Sequence, residues 1–190
     1  MASLFTHGFV AVALGHTLLP APRPWRLWLA SVLCSCIPDA DVIGFAFGIA
    51  YGHPLGHRGF SHSLVFAALL SAGVVYSSFR EALGNPRLKR LLLAHFFLVT
   101  ASHGFLDALT DGGLGVAFFA PFDNARYFLP WRPIVVSPIG VGAFFSRWGL
   151  EVMVNELLWI WLPAGLVALV GIVVRRRLSR RRQEGAGGGT

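Results

Sequence analysis

Residues His57 to Ser63 read His-Arg-Gly-Phe-Ser-His-Ser, a dense polar run in a chain that is 55% hydrophobic and only 13% charged. Two imidazoles, a guanidinium and hydroxyls beside apolar helices are expensive to bury, and persist where something binds or reacts. Two further segments carry related chemistry, Asp39-Ala40-Asp41 and His103 with Asp107. His103 and Asp107 are four apart, so on a helix they share a face and can give two ligands to one metal ion. Asp39 and Asp41 follow Pro38, which is expected to end a helix, and the turn can aim both carboxylates at one cation or at two adjacent ones. Mixed imidazole and carboxylate ligands suit zinc first, with manganese or iron next, better than calcium or magnesium. One or two such ions would make water a nucleophile near neutral pH, and two would clamp the attacking and leaving oxygens of a displacement. Arg58 suits bidentate pairing with a phosphate or carboxylate.

The elements that must position these residues are apolar blocks: Leu4–Leu19, Leu27–Ile37, Val42–Tyr51, Leu64–Phe79, Leu91–Leu109 and Val152–Val174. The last is interrupted only by Asn155 and Glu156 and is long enough to span a bilayer, which argues against a soluble bundle. Most of the sixteen basic residues fall in three places: Arg23 and Arg26, the stretch Arg80–Arg90, and Arg175–Arg182. All three can share one face, and the positive-inside rule makes that face cytoplasmic. Most acids lie at the opposite block ends. Tracing the chain by that rule brings His7, Asp39, Asp41, His57, His62, His103 and Asp107 together at the extracytoplasmic end. Ser61 or Ser63 can cap the helix that His62 opens.

Other polar residues read differently. His16 and His95 fall off the shared face and fit hydrogen-bonded interior positions, while His53 sits in a Gly-rich loop. Cys34 and Cys36 lie in an apolar run and read as buried thiols. The pI near 10.7 would suit a nucleic-acid partner, but the charge is gathered beside the final span, where a juxtamembrane anchor belongs. Met1–Leu19 lacks a basic leader and an Ala-x-Ala cleavage pattern and is expected to be retained. Gly112–Gly149, broken by four prolines, reads as an interfacial lid over the site or as a pair of re-entrant helices.

The quoted blocks, with Leu109-Thr110, resemble the signature of the YdjM-like, LexA-regulated membrane-bound metal-dependent hydrolases. His7 matches that family's early histidine, and Ala120-Pro121-Phe122 its apolar Pro-Phe segment. The likeness runs from about His7 to Arg132. This chain departs from the pattern at Val42, where the family often has a histidine that His53 would have to replace, and at Asp111-Gly112-Gly113 after the Leu-Thr motif.

The expected protein is an all-α, polytopic integral membrane bundle of about four to six embedded helices in one domain, 1–178. A basic, then Gly-rich, disordered cytoplasmic tail is expected over 179–190. The resemblance implies a metal-dependent hydrolase of the plasma (inner) membrane. Its expected ligands are His7, Asp39, Asp41, His62, His103 and Asp107, with His57 and Arg58 in catalysis, and the metal is a divalent ion, zinc first. A phosphoester, natural at headgroup level, is the expected substrate, membrane lipids the expected partners, and nucleic acid is not one. The competing class is a non-catalytic membrane metal-binding or transport protein.

Overall fold

A computed structural model describes residues 1–187, with side chains as far as Arg177. Helix α1 (Leu4–Leu18) starts at Ser3, whose hydroxyl accepts the Thr6 N–H. Helix α2 (Trp25–Cys36) runs directly into a 3-10 stretch, Ile37–Phe47. Ser63 caps α3 (Leu64–Ser78) by accepting the Phe66 N–H. Asn85 caps α4 (Pro86–Ala108), and Pro86 fits its first turn because no donor is needed there. After an irregular segment come α5 (Val141–Phe144), α6 (Arg147–Glu156), a wide π turn (Leu157–Trp161) and α7 (Leu162–Gly187). Pro163 lacks the N–H that an α-helix would direct at Trp159, and the wide turn just before it absorbs that misfit.

Three helical runs are long and apolar enough to cross a bilayer: Trp25–Phe47, Pro86–Ala108 and Arg147–Arg177. Helices α1 and α3, fifteen residues each, are shorter apolar helices of about 22 Å. The expected all-helical membrane bundle is therefore present, and among the described residues it contains no strand. Helix α4 sits at the centre, packed on α1, α2 and α3, while α7 lies outside against α1. Leu27, Val75, Phe79, Leu92, Phe96 and Val99 form the packed interior. Because lipid is as apolar as leucine, close packing and interhelical hydrogen bonds hold such a bundle together. Ser31 Oγ meets His95 Nε2 at 2.8 Å, and Ser71 Oγ donates to Leu93 O at 2.7 Å. His95 is thus an interior polar contact, as expected, and His16 stacks on Trp28.

Two expectations change. Pro38 ends the α-helix as expected, since α2 stops at Cys36, but the helical path goes on in 3-10 form. Pro38 occupies the start of the 3-10 stretch, where its missing N–H costs nothing, and the path ends at Gly48 with φ 75. Residues two apart on a 3-10 path point about 120° apart, so Asp39 and Asp41 diverge instead of aiming at one point. At the C-terminus, where a disordered tail was expected over 179–190, the backbone is helical to Gly187, and 188–190 lie outside the described residues.

Gly112–Gly149 forms no pair of re-entrant helices. Up to α5 it is irregular chain stitched over the ends of α3 and α4. Phe118 O accepts from Leu64 N, Arg58 O from Ala117 N, and Ala108 O from Leu129 N. Isolated bridges join Thr110 to Ile134 and Val116 to Tyr127. Arg126 ties this cover to the preceding loop by donating to the carbonyls of His57, Tyr51 and His53.

Candidate metal centre

Four of the expected ligands meet. Asp39, His62, His103 and Asp107 each offer one atom within 4.8 Å of the others, and all four are buried. The start of the 3-10 stretch supplies Asp39, the turn before α3 supplies His62, and successive turns of α4 supply His103 and Asp107. The turn approaches α4 closely only because residue 104 is glycine: a Cβ there would stand 2.9 Å from the His62 carbonyl oxygen.

Both imidazoles are fixed from behind. His103 Nδ1 lies 2.7 Å from Ser35 O and must donate to it, which leaves the lone pair of Nε2 facing the cluster. His62 Nδ1 lies 3.2 Å from Asp41 Oδ2 and 3.0 Å from Ser61 Oγ, so its Nε2 faces the same point. The two Nε2 atoms are 3.1 Å apart. Only a shared proton or a cation makes that approach favourable, because two lone pairs would repel. Burial works against a charge on His62, but the surrounding carboxylates of Asp107, Asp39 and Asp41 outweigh it and push the imidazole up to about 10.

Asp39 sets the sign of the charge that the cluster favours. Its Oδ1 is 3.3 Å from His103 Nε2 and 3.5 Å from His62 Nε2, yet both carboxylate oxygens are buried without a hydrogen-bond donor. A buried carboxylate facing an imidazole lone pair is strongly unfavourable unless a proton or a metal cation lies between them. Two imidazole nitrogens and two carboxylate oxygens make a donor set that could hold a metal ion.

Asp41 stands behind His62 rather than in this quartet. Its oxygens are within hydrogen-bonding range of His57 Nδ1 (2.7 Å), Arg58 N (3.2 Å) and Ser61 Oγ (2.6 Å). A carboxylate so engaged orients the histidine and raises its basicity as a ligand. Asp41, His57 and His62 also lie close enough to hold an ion, and His57 Nε2 is buried without a partner. His7 sits at the edge of the quartet. Its Nε2 is 3.5 Å from Asp107 Oδ1, its ring stacks on His103 at 3.7 Å, and neither nitrogen has a hydrogen-bond partner.

Arg58 differs most from its expected role of anion contact. The side chain is fully buried, and its Nε, Nη1 and Nη2 donate to Asp107 Oδ2, Gly112 O and Thr110 Oγ1 at 3.2, 2.9 and 2.9 Å. It pairs with the candidate ligand Asp107 and pins the cover, and its φ of 61 is unusual for a non-glycine residue, a strain typical of functional sites. His53 does not join: it is exposed, and its Nδ1 accepts the Leu55 N–H. Asp111 accepts the Val136 N–H and serves the cover.

The role of Glu156 escaped the sequence reading. It is fully buried and accepts from Ser3 N, Ser3 Oγ and Thr6 Oγ1, while Trp161 Nε1 donates to Thr6 Oγ1 at 2.6 Å. These bonds hold residues 2–7 so that Ala2 N donates to Asp107 Oδ1 at 2.7 Å and His7 reaches the cluster. A lone acid in the first turns of an otherwise uninterrupted span was the available signal.

The chain matches the family model described as YdjM inner membrane protein over residues 1–179. It belongs to the YdjM family. It is similar to the inner membrane protein YbcI of Escherichia coli (strain K12), with 37% identity over 180 residues that cover 93% of this chain and 99% of that protein. No solved structure matches it. YdjM membership agrees with the resemblance carried by the His57–Ser63 motif, and the cluster described above is a site within this YdjM chain where a metal ion could be held.

Proposed function

We propose that this YdjM-family protein is a metal-dependent hydrolase of the inner membrane, acting on an ester at headgroup level, a phosphoester of a lipid being the substrate of best fit. The observation that carries the reading is the Asp39 carboxylate, buried without a donor and facing the nitrogens of His62 and His103. A divalent ion there would supply Lewis acidity, lowering the pKa of water and polarising an ester oxygen. The chain's own residues would do the rest. Asp41 and the Ser35 carbonyl hold the two imidazoles in the ligating orientation. Arg58 fixes Asp107 and the cover, and His57, with one ring nitrogen unpaired beside Asp41, is the group best placed to move a proton. The three arginine-bearing regions support a cytoplasmic C-terminus and an extracytoplasmic site.

A second reading, a non-catalytic metal-binding protein, draws support from the burial of all four ligands and the full engagement of Arg58. Catalytic ions keep an open position, whereas closed four-ligand sites are structural. Transport has less support, because the polar groups gather at one end of the helices rather than at mid-depth. The test uses the full-length protein in nanodiscs, loaded with zinc or manganese and assayed for phosphate or diacylglycerol release from anionic phospholipid. Metal-dependent turnover that Asp39→Asn abolishes is the expected result. A stoichiometric metal complex without turnover of any ester selects the second reading.

A further inference from the structure

At the end of the bundle away from the His/Asp cluster, a cavity of ≈ 1090 Å³ opens between the last turn of α1, the start of α4 and α7. Arg23, Arg87, Arg175 and Arg176 line it, and none of the described lining residues is acidic. Arg23 Nε and Arg175 Nη1 both donate to the Leu19 carbonyl. That carbonyl belongs to the negative end of α1, which draws cations, but one partial charge does not balance two guanidiniums. Burial and the neighbouring Arg175 charge both push the Arg23 guanidinium below its ordinary value. Glu81, the acid of the preceding loop, is paired with Arg26 and does not line the cavity. His16, also in the lining, carries a buried Nδ1 with no hydrogen-bond partner.

The remaining wall is apolar. Leu88, Leu91 and Ile172 line the cavity, and α7 continues from it with Leu166, Val167, Leu169 and Val170 exposed, as in a helix that faces lipid. A ligand matched to both walls has an anionic head that accepts from guanidiniums and an apolar tail that continues along the helices. Arginine forks suit phosphate oxygens.

We propose that this cavity binds the phosphate-bearing headgroup of an anionic phospholipid from the leaflet opposite the candidate metal centre. The fold then has two separate polar ends, one built to hold a cation and the other an anion.

Native mass spectrometry of the delipidated full-length protein in detergent tests it, with phosphatidylglycerol, phosphatidylcholine and inorganic phosphate as probes. Phosphatidylglycerol should bind more than about tenfold tighter than phosphatidylcholine. Arg87→Gln, an exposed position whose side chain caps nothing, should weaken phosphatidylglycerol by about fivefold, the worth of one cation at an anionic lipid surface. Equal binding of the two lipids, or an Arg87→Gln variant with unchanged preference, would overturn the proposal. Inorganic phosphate that competes as well as the lipid would overturn the lipid source. Metal content measured on the same samples keeps the two ideas apart: protein without metal but with intact lipid preference defeats the hydrolase reading and leaves this one standing.

Discussion

Asp41 Oδ2 lies 3.2 Å from His62 Nδ1, on the far side of the ring from His103 Nε2, which His62 Nε2 meets at 3.1 Å. The carboxylate thus sets which nitrogen of His62 faces the cluster. Asp41→Asn should keep the fold and weaken metal binding by roughly 10–100-fold, the usual effect of losing a partner that orients a ligand. Competition against a fluorescent zinc chelator measures it, and an affinity equal to wild type would put Asp41 outside the site.

Asp39 has the opposite character, since its oxygens have no donor to lose. Asp39→Asn should abolish tight metal binding and, by removing one of the carboxylates that favour protonated His62, make the metal-free protein somewhat less heat-stable near neutral pH. Thermal unfolding with and without a chelator separates the two effects. A variant that still gains as much stability from added metal as wild type contradicts this assignment.

The raised His62 value gives a pH dependence with a definite sign. In the metal-free protein the imidazole is pushed up to about 10 from an ordinary 6.5. Its stabilising interactions are then fully present below about 6.5 and fade as pH rises through about 10. A metal must displace that proton, so apparent affinity should rise by about tenfold per pH unit below about 10. Calorimetry in buffers of different ionisation enthalpy should count about one proton released per ion near neutral pH; zero protons would mean that His62 is already neutral or is no ligand.

Glu156 holds the segment that carries Ala2 and His7. Glu156→Ala strands the Ser3 and Thr6 donors in the interior, at a cost of about 1–3 kcal/mol. A lowered melting temperature together with weaker metal binding is expected. Unchanged metal affinity in a folded variant would confine Glu156 to a purely architectural part.

Arg58→Lys removes the fork that reaches Asp107, Thr110 and Gly112 together. Lysine cannot reproduce three separate donors in a plane. Loss of stability and looser protection of residues 110–113 in hydrogen exchange should follow even without substrate. An effect confined to substrate affinity would restore Arg58 to anion binding.

Much of this was legible in the chain because polar groups in apolar blocks have few places to go. The four-residue spacing of His103 and Asp107 and the distribution of arginines placed His62, Asp39 and His7 at the same end, where the fold has them. The parts that escaped depend on backbone. The Ser35 carbonyl that orients His103 leaves no trace in residue type. Asp39 and Asp41 separate because the chain tightens into 3-10 turns at Pro38 instead of stopping. Arg58 read as a contact for a bound phosphate or carboxylate, yet closing the cover over it makes it internal and pairs it with Asp107. Proline-broken, aromatic sequence such as 112–149 has no periodicity from which a path could be read.

The proposed function requires that Asp39, His62, His103 and Asp107 hold a metal ion. Elemental analysis of the purified full-length protein beside Asp39→Asn tests it most directly. About one transition-metal ion per chain in the wild type and essentially none in the variant is the predicted result; a well-folded wild-type protein that carries no metal and takes up none on dialysis against zinc, manganese or iron contradicts it.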